Sequence, residues 1–374
     1  MLSLSRTRLP LGLAFLAAAL LPVPRLHAQA GKSITFETYD GVKISGTLHV
    51  SPTPKREAVV MLLHTFDRKK GGSSQQDGWA GLTKDLLADG YHVLSFDFRG
   101  FGDSKTVTDR FWNPKYSHNI QYIMGGAAAA ARKSDTIDHG KFTVSYLPYL
   151  INDIAAAKAY IDRRNDAGQL NAANVILIGA GEGAALGALW LKNECRRKRD
   201  TNIPPIGLPT LTPHTEINDV ACAVWLSVRP GFNNRVSGSV SSAIRELADK
   251  KNKVPMAFVY GKNDKQAANL SENYYGLIKG KGTEKMKGFT GTHAIERTSL
   301  SGNQLLGVEG TKKWIIDKYL DPVMTARGNR EMKDRKSEAS QYWYVYPGPG
   351  GRAYKISKIA GRESPEVDLG IVFQ

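Results

Sequence analysis

Cysteine is nearly absent from this chain, with only Cys195 and Cys222 in 374 residues, so no disulfide framework or cysteine-rich metal fold can be its source of stability. Long apolar runs are absent after residue 30, which excludes a bundle of membrane spans. Acidic residues are in deficit, 35 Asp+Glu against 51 Lys+Arg, so the chain carries +16 and should be drawn to anionic surfaces such as envelope polymers. The basic clusters are scattered, however: Arg68-Lys69-Lys70, Arg196 to Arg199, Lys250-Lys251 and Lys279 through Lys287. Each falls in an expected loop or helix end, so solvated surface fits them better than a nucleic-acid track. Metal-ligand spacing is also missing, since His118 and His139 stand 21 residues apart with no companion pattern. The glycine-rich stretch Gly179–Gly183 lacks the three-glycine spacing of a dinucleotide site. No metal and no other cofactor is implied.

What is present begins with a leader-like segment. Arg6 and Arg8 precede an almost uncharged apolar run from Leu9 to Val23, and Ala28-Gln29-Ala30 supplies a small-x-small cleavage pattern. Residues 1–30 therefore read as a signal peptide of an exported protein. A retained anchor is the alternative, against which Pro10, Pro22 and Pro24 argue. Removing the segment takes away three arginines and no acid and leaves +13.

The remainder has ordinary globular composition, 41% hydrophobic and 23% charged, so a packed core is expected. Residues 33–50 read as a hairpin turning at Asp40-Gly41. Buried strands are expected at Ala58–Leu63, Tyr91–Phe98, Val175–Ile178, Ala221–Val228, Val254–Tyr260 and Glu284–Phe289. Helical spacing falls at Trp79–Leu87, Leu147–Arg164, Ala184–Cys195, Ser242–Lys250, Ala267–Lys279 and Val308–Leu320. This alternation implies an α/β fold with a mostly parallel central sheet flanked by helices, whose ligands bind beyond the carboxyl ends of the strands. Two segments interrupt it. Residues 105–146, rich in aromatics, insert after the Asp97–Ser104 turn and are expected over the active-site face, where His118 and His139 could line the cleft. Residues 321–374 follow the domain of residues 31–320 as a basic linker and an aromatic, hairpin-like extension, Tyr342–Tyr346 pairing with Ala353–Ile359.

Five motifs sit just after expected strands. Gly179-Ala-Gly181-Glu182-Gly183 resembles the nucleophile elbow of the α/β-hydrolase family, G-x-S-x-G between a strand and a helix. His64-Thr65-Phe66 resembles the family's HG loop, and Asp97-Phe98-Arg99-Gly100-Phe101-Gly102-Asp103-Ser104 its D-x-R-G-x-G-x-S turn. Gly261-Lys262-Asn263-Asp264 and Gly291-Thr292-His293 follow in the order of the catalytic acid and base. The resemblance covers roughly residues 33–320, is nearest to the dienelactone hydrolase and serine-peptidase-like branches, and implies the α/β-hydrolase fold. It further implies Asp264 and His293 as retained acid and base, Phe66 and Glu182 as backbone donors of the oxyanion hole, and His64 beside the cleft.

The departure is at the nucleophile, which is Gly181. Glycine has no atom that can attack a carbonyl. Glu182 reads as a hydrogen-bonding residue behind the elbow; Ser227, or a water beside Gly181 activated by His293, could replace the lost hydroxyl. Two functions remain open. One is a degenerate or unorthodox hydrolase of ester, lactone or amide substrates. The other is a non-catalytic pseudoenzyme binding a small ligand or an anionic envelope partner. Cys195 and Cys222 are expected at one edge of the sheet, where export permits a disulfide; two separate thiols are the alternative.

Overall fold

The computed structural model describes residues 31–76, 78–196, 198–202, 210–213, 216–230, 234–248, 254–280, 288–328, 330–333, 343–345 and 366–368. The leader segment 1–30, Lys250-Lys251, most of the basic stretch up to Lys287 and the Ala353–Ile359 arm lie outside the described residues.

The chain enters through a hairpin of β1 (Lys32–Glu37) and β2 (Lys43–His49), paired antiparallel. Strands β3 (Val59–Leu63), β4 (His92–Phe96), β5 (Val175–Ala180), β8 (Val220–Leu226) and β9 (Met256–Gly261) are buried along their whole length. Such continuous apolar runs suit strands covered on both faces. With β10 (Gly291–Ile295) they form one eight-stranded sheet in the order β1-β2-β4-β3-β5-β8-β9-β10. From β4 to β10 every pairing is parallel, while β2 meets β4 antiparallel.

Helices cover both faces. Helix α1 (Trp79–Ala88) lies on one, with a helical stretch from Thr311 through Arg327 that buries Ile315, Ile316, Leu320, Val323 and Met324. That stretch runs seven residues beyond the expected boundary at residue 320. The other face carries α4 (Ile151–Asp166), α5 (Gly181–Arg196), α6 (Asn234–Leu247) and α7 (Lys265–Ile278). Two small pairs stand apart from the main sheet. β6 (Lys198–Asn202) pairs antiparallel with β7 (Thr210–Pro213), and β11 (Trp343–Val345) pairs parallel with β12 (Glu366–Asp368). The described partner of Trp343–Val345 is 366–368, in parallel, while the expected hairpin arm Ala353–Ile359 lies outside the described residues.

No disulfide joins Cys195 and Cys222. Cys222 points to the α1 face, whereas Cys195 at the end of α5 packs with the opposite core, so the sheet itself separates the sulfurs.

The inserted segment 105–146 contains α2 (Ser117–Gln121) and α3 (Gly126–Ala131), the latter formed by the Gly-Ala tract. It packs against the β1–β2 turn, where Val42 bridges Val107, and against the loops after β3 and β4, with His139 beside Gly71 and stacked on Phe101. The anchor is Arg99, fully buried, whose guanidinium pairs with Asp40 at 2.6 Å and Asp153 at 2.7 Å. Asn119 of α2 donates to Asp40, and Tyr146 donates to Asn119. Burial opposes ionisation of Asp40, but Arg99 overrides it and holds that carboxyl below its ordinary range. Burial raises Asp153 to about 6 in spite of the same arginine. A buried cation shared by two acids is costly to break, so it holds the insertion in one position.

Candidate functional site

The elbow forms as the sequence suggests. Strand β5 ends at Ala180, and α5 starts at Gly181, whose φ of +54° is left-handed. The turn is tight because α5 lies against the end of β3: a Cβ on Gly183 would come within 2.4 Å of the His64 carbonyl oxygen. Above the elbow lies an open cleft of about 620 Å³.

His64 is a structural ligand of the backbone. Its Nε2 accepts from the Phe98 N–H at 3.0 Å, so Nδ1 carries the proton and donates to the Thr65 carbonyl at 2.8 Å. Burial lowers its pKa and keeps it neutral. The Phe66 ring is buried against Phe98 and Phe101. Glu182 accepts a hydrogen bond from the Thr65 hydroxyl at 2.8 Å. A Cβ built on Gly181 would lie 2.5 Å from that same Oγ1, so Thr65 occupies the volume a nucleophile side chain would need.

The expected dyad is not formed. Asp264 caps α7, its carboxylate accepting from the Ala267 N–H at 3.1 Å. His293 lies inside β10, opposite Val259, and its ring stacks on Trp314 at 4.2 Å and 5°. Val259 and Trp314 belong to the α1-side core, whereas α7 packs on the other face of the sheet. Burial lowers the His293 pKa. The last described strand of the sheet is Gly291–Ile295, so His293 is a strand residue and not a strand-end residue; residues 284–287 of the expected strand Glu284–Phe289 lie outside the described residues. The residue that reaches the elbow from beyond β10 is Gly302, where an added Cβ would lie 3.9 Å from the Gly181 nitrogen.

Neither His118 nor His139 lines the cleft. His118 stacks on Tyr149 at 4.1 Å, and His139 stacks on Phe101 at 4.6 Å. Ser227 ends β8 buried, with φ +46° and no hydrogen-bond partner for its hydroxyl among the described residues, and it does not line the cleft either.

Residues that do line it were missed from sequence. Arg229 follows β8, its guanidinium bonded to Gln266 at 2.9 Å and Ser301 at 3.2 Å, with no ion pair to an acid among the described residues. Lys70 enters from the loop after β3, where Asp67 accepts from the Lys69 and Lys70 N–H groups. Asp97 holds the next part of that loop by accepting from Ser74 N at 2.6 Å and Ser73 Oγ at 3.2 Å. Gln76, Asn303 and Gln304 add side-chain amides. The rule that ligands gather at strand ends could have found Arg229, one residue past the expected strand Ala221–Val228. Among the described lining residues there is no carboxylate, no imidazole and no apolar side chain larger than a methyl-bearing threonine.

No family model matches the sequence, and no curated protein matches it. Similar solved structures include a dienelactone hydrolase from Anabaena variabilis ATCC 29413, 13% identical, covering 81% of this chain and 100% of that one, TM-score 0.46. An esterase from Pyrococcus furiosus is 15% identical, covering 78% of this chain and 93% of that one, TM-score 0.47. An α/β serine hydrolase without lid from Xanthomonas campestris is 11% identical, covering 79% and 98%, TM-score 0.43. At these identities no residue role carries over, and the assignment comes from this chain's own architecture. Strand order, an antiparallel entry hairpin, the tight β5–α5 elbow and helices on both faces give this chain the α/β-hydrolase fold.

Proposed function

We propose that this chain is an exported, non-catalytic binding protein that uses the cleft above the β5–α5 elbow for a small polar ligand. The observation that carries the reading is the replacement of reacting groups at that cleft. Gly181 stands where a nucleophile is needed, and Gly302, whose added Cβ would lie 3.9 Å from the Gly181 nitrogen, brings no base to it. Among the described lining residues the charged side chains are both cations, Arg229 and an exposed Lys70. The leader-like residues 1–30 support export.

A second reading rests on one contact. Thr65 Oγ1 fills the nucleophile volume and donates to the Glu182 carboxylate, a hydroxyl beside an acceptor. A carboxylate is a weak base toward an alcohol, which places this reading second.

The test is a panel of activated esters, lactones and peptides, run on wild type, Thr65→Val and Glu182→Gln. The expected result is no turnover above buffer in any of the three. Turnover by wild type that Thr65→Val abolishes would overturn the binding reading and make the threonine a nucleophile.

A further inference from the structure

We infer that the ligand of this cleft is a hydroxylated organic anion of monosaccharide size, a sugar acid or sugar phosphate, whose acidic group is held by Lys70 and Arg229. The inference rests on the binding reading above and names its ligand class.

The charge argument comes first. Lys70 and Arg229 enter the same cleft from the ends of two different strands, and among the described residues no carboxylate shares the lining with them. Arg229 is held in place by neutral partners, Gln266 and Ser301, which leave its charge uncompensated and part of its fork of donors unused. The Lys70 loop is fixed in turn, closed by reciprocal Asp67–Gly71 backbone hydrogen bonds at 2.8 Å and held by Asp97. Fixed cations at strand ends are arranged for an anion.

The remaining lining specifies the rest of the ligand. A lipid-like or aromatic ester needs apolar walls, and the cleft has none among its described residues. Amides and hydroxyls take their place, from Gln76, Ser301, Asn303 and Gln304. The Gln76 Oε1 atom is buried without a hydrogen-bond partner among the described residues. A buried acceptor of this kind is stabilised by a donor from the ligand, and a hydroxyl group is a donor that an anion can carry. The volume of about 620 Å³ is ample for a monosaccharide and its bridging waters.

The test is calorimetric titration of the full chain with glucuronate, glucose 6-phosphate, glucose, acetate and inorganic phosphate. Glucuronate or glucose 6-phosphate, or both, should bind, and which one binds identifies the acid. Glucose, acetate and phosphate should each bind at least about tenfold more weakly, because each lacks half of the contacts. Lys70→Met and Arg229→Gln should each weaken the bound anion about tenfold or more, and raising salt from about 0.05 to about 0.5 M should weaken it further. Lys70 is exposed, so its variant keeps the test open if Arg229→Gln fails to fold. Equal binding of glucose would overturn the anion assignment, equal binding of acetate or phosphate the hydroxyl assignment, and no binding by any probe the inference as a whole. All three outcomes leave the non-catalytic reading standing, because only turnover in the ester panel removes that.

Discussion

Restoring the elbow serine, Gly181→Ser, is the sharpest perturbation of this site, and its effect can be worked from two distances and one angle. The backbone at 181 has φ +54°, which costs a side-chain-bearing residue about 1–2 kcal/mol. The new Cβ would lie 2.5 Å from Thr65 Oγ1 and 3.2 Å from Thr65 Cβ, so Thr65 must turn away. Turning it breaks the hydroxyl's bond to the Glu182 carboxylate, worth about 1.5–3 kcal/mol for a charged acceptor. The variant should therefore be less stable by about 3 kcal/mol. In a Thr65→Ala background the hydroxyl's obstruction and its bond to Glu182 are gone, leaving the backbone strain and the 3.2 Å approach to the residue-65 Cβ, so the same change should cost about 1–2 kcal/mol. Urea unfolding followed by circular dichroism on the four proteins of the cycle measures this coupling. Gly181→Ser should also gain no esterase activity, since the imidazole expected as its base, His293, stacks on Trp314 on the α1 face of the sheet. Costs that add within about 0.5 kcal/mol would refute the steric argument, and an esterase gain abolished by His293→Ala would refute the placement of the imidazole.

The other expectations are simpler to check. Burial lowers the His118 pKa to about 3 from 6.5, so below pH 6.5 the unfolded chain binds the extra proton and this site's contribution to stability falls with pH, by at most about 1.4 kcal/mol per unit. His118→Phe should remove that part of the slope between pH 6.5 and 5 in urea titrations, and an unchanged slope would sink the idea. Thiol titration of the unreduced, denatured chain should find both cysteines free, and native Cys222, raised to about 12 by burial, should resist labelling; one disulfide per chain would contradict the separation of the sulfurs by the sheet. Asp97→Ala leaves the Ser74 and Asp103 N–H groups without their acceptor and should cost about 2–4 kcal/mol while accelerating hydrogen exchange in residues 67–76. Protection unchanged from wild type there would show that Asp97 does not hold the Lys70 loop.

The sheet was legible because its central strands are buried on both faces and so read as uninterrupted apolar runs, as in Val-Val-Met-Leu-Leu of β3. The edge was not. Gly291-Thr-His-Ala-Ile295 is half-buried for four of its five residues, and nothing in its composition marks it as a strand. An error of a few residues there moved His293 from strand end to strand interior, and the alternation of side chains then turned it to the α1 face. Asp264 was misread for a different reason. An aspartate before Lys-Gln-Ala is equally a helix N-cap, and its carboxylate serves as one. Asp40 reads as a turn residue, and its partner, Arg99, is 59 positions away, so no local pattern reveals the pairing.

The elbow persists without its chemistry because packing demands it independently. A Cβ at Gly179 would meet the Ala184 Cα at 2.7 Å, and one at Gly183 would meet the Leu63 and His64 carbonyl oxygens at 2.6 and 2.4 Å. These contacts seat α5 on the ends of β3 and β5, and they do not involve the side chain at 181. The flanking glycines are therefore fixed by the fold, whereas these contacts demand nothing of the side chain at 181, beside which Thr65 fills the space. That independence lets a chain keep the elbow glycines and yet present a cleft whose charged lining groups, among the described residues, are cations. The sequence pattern records the packing, and the lining side chains record the use.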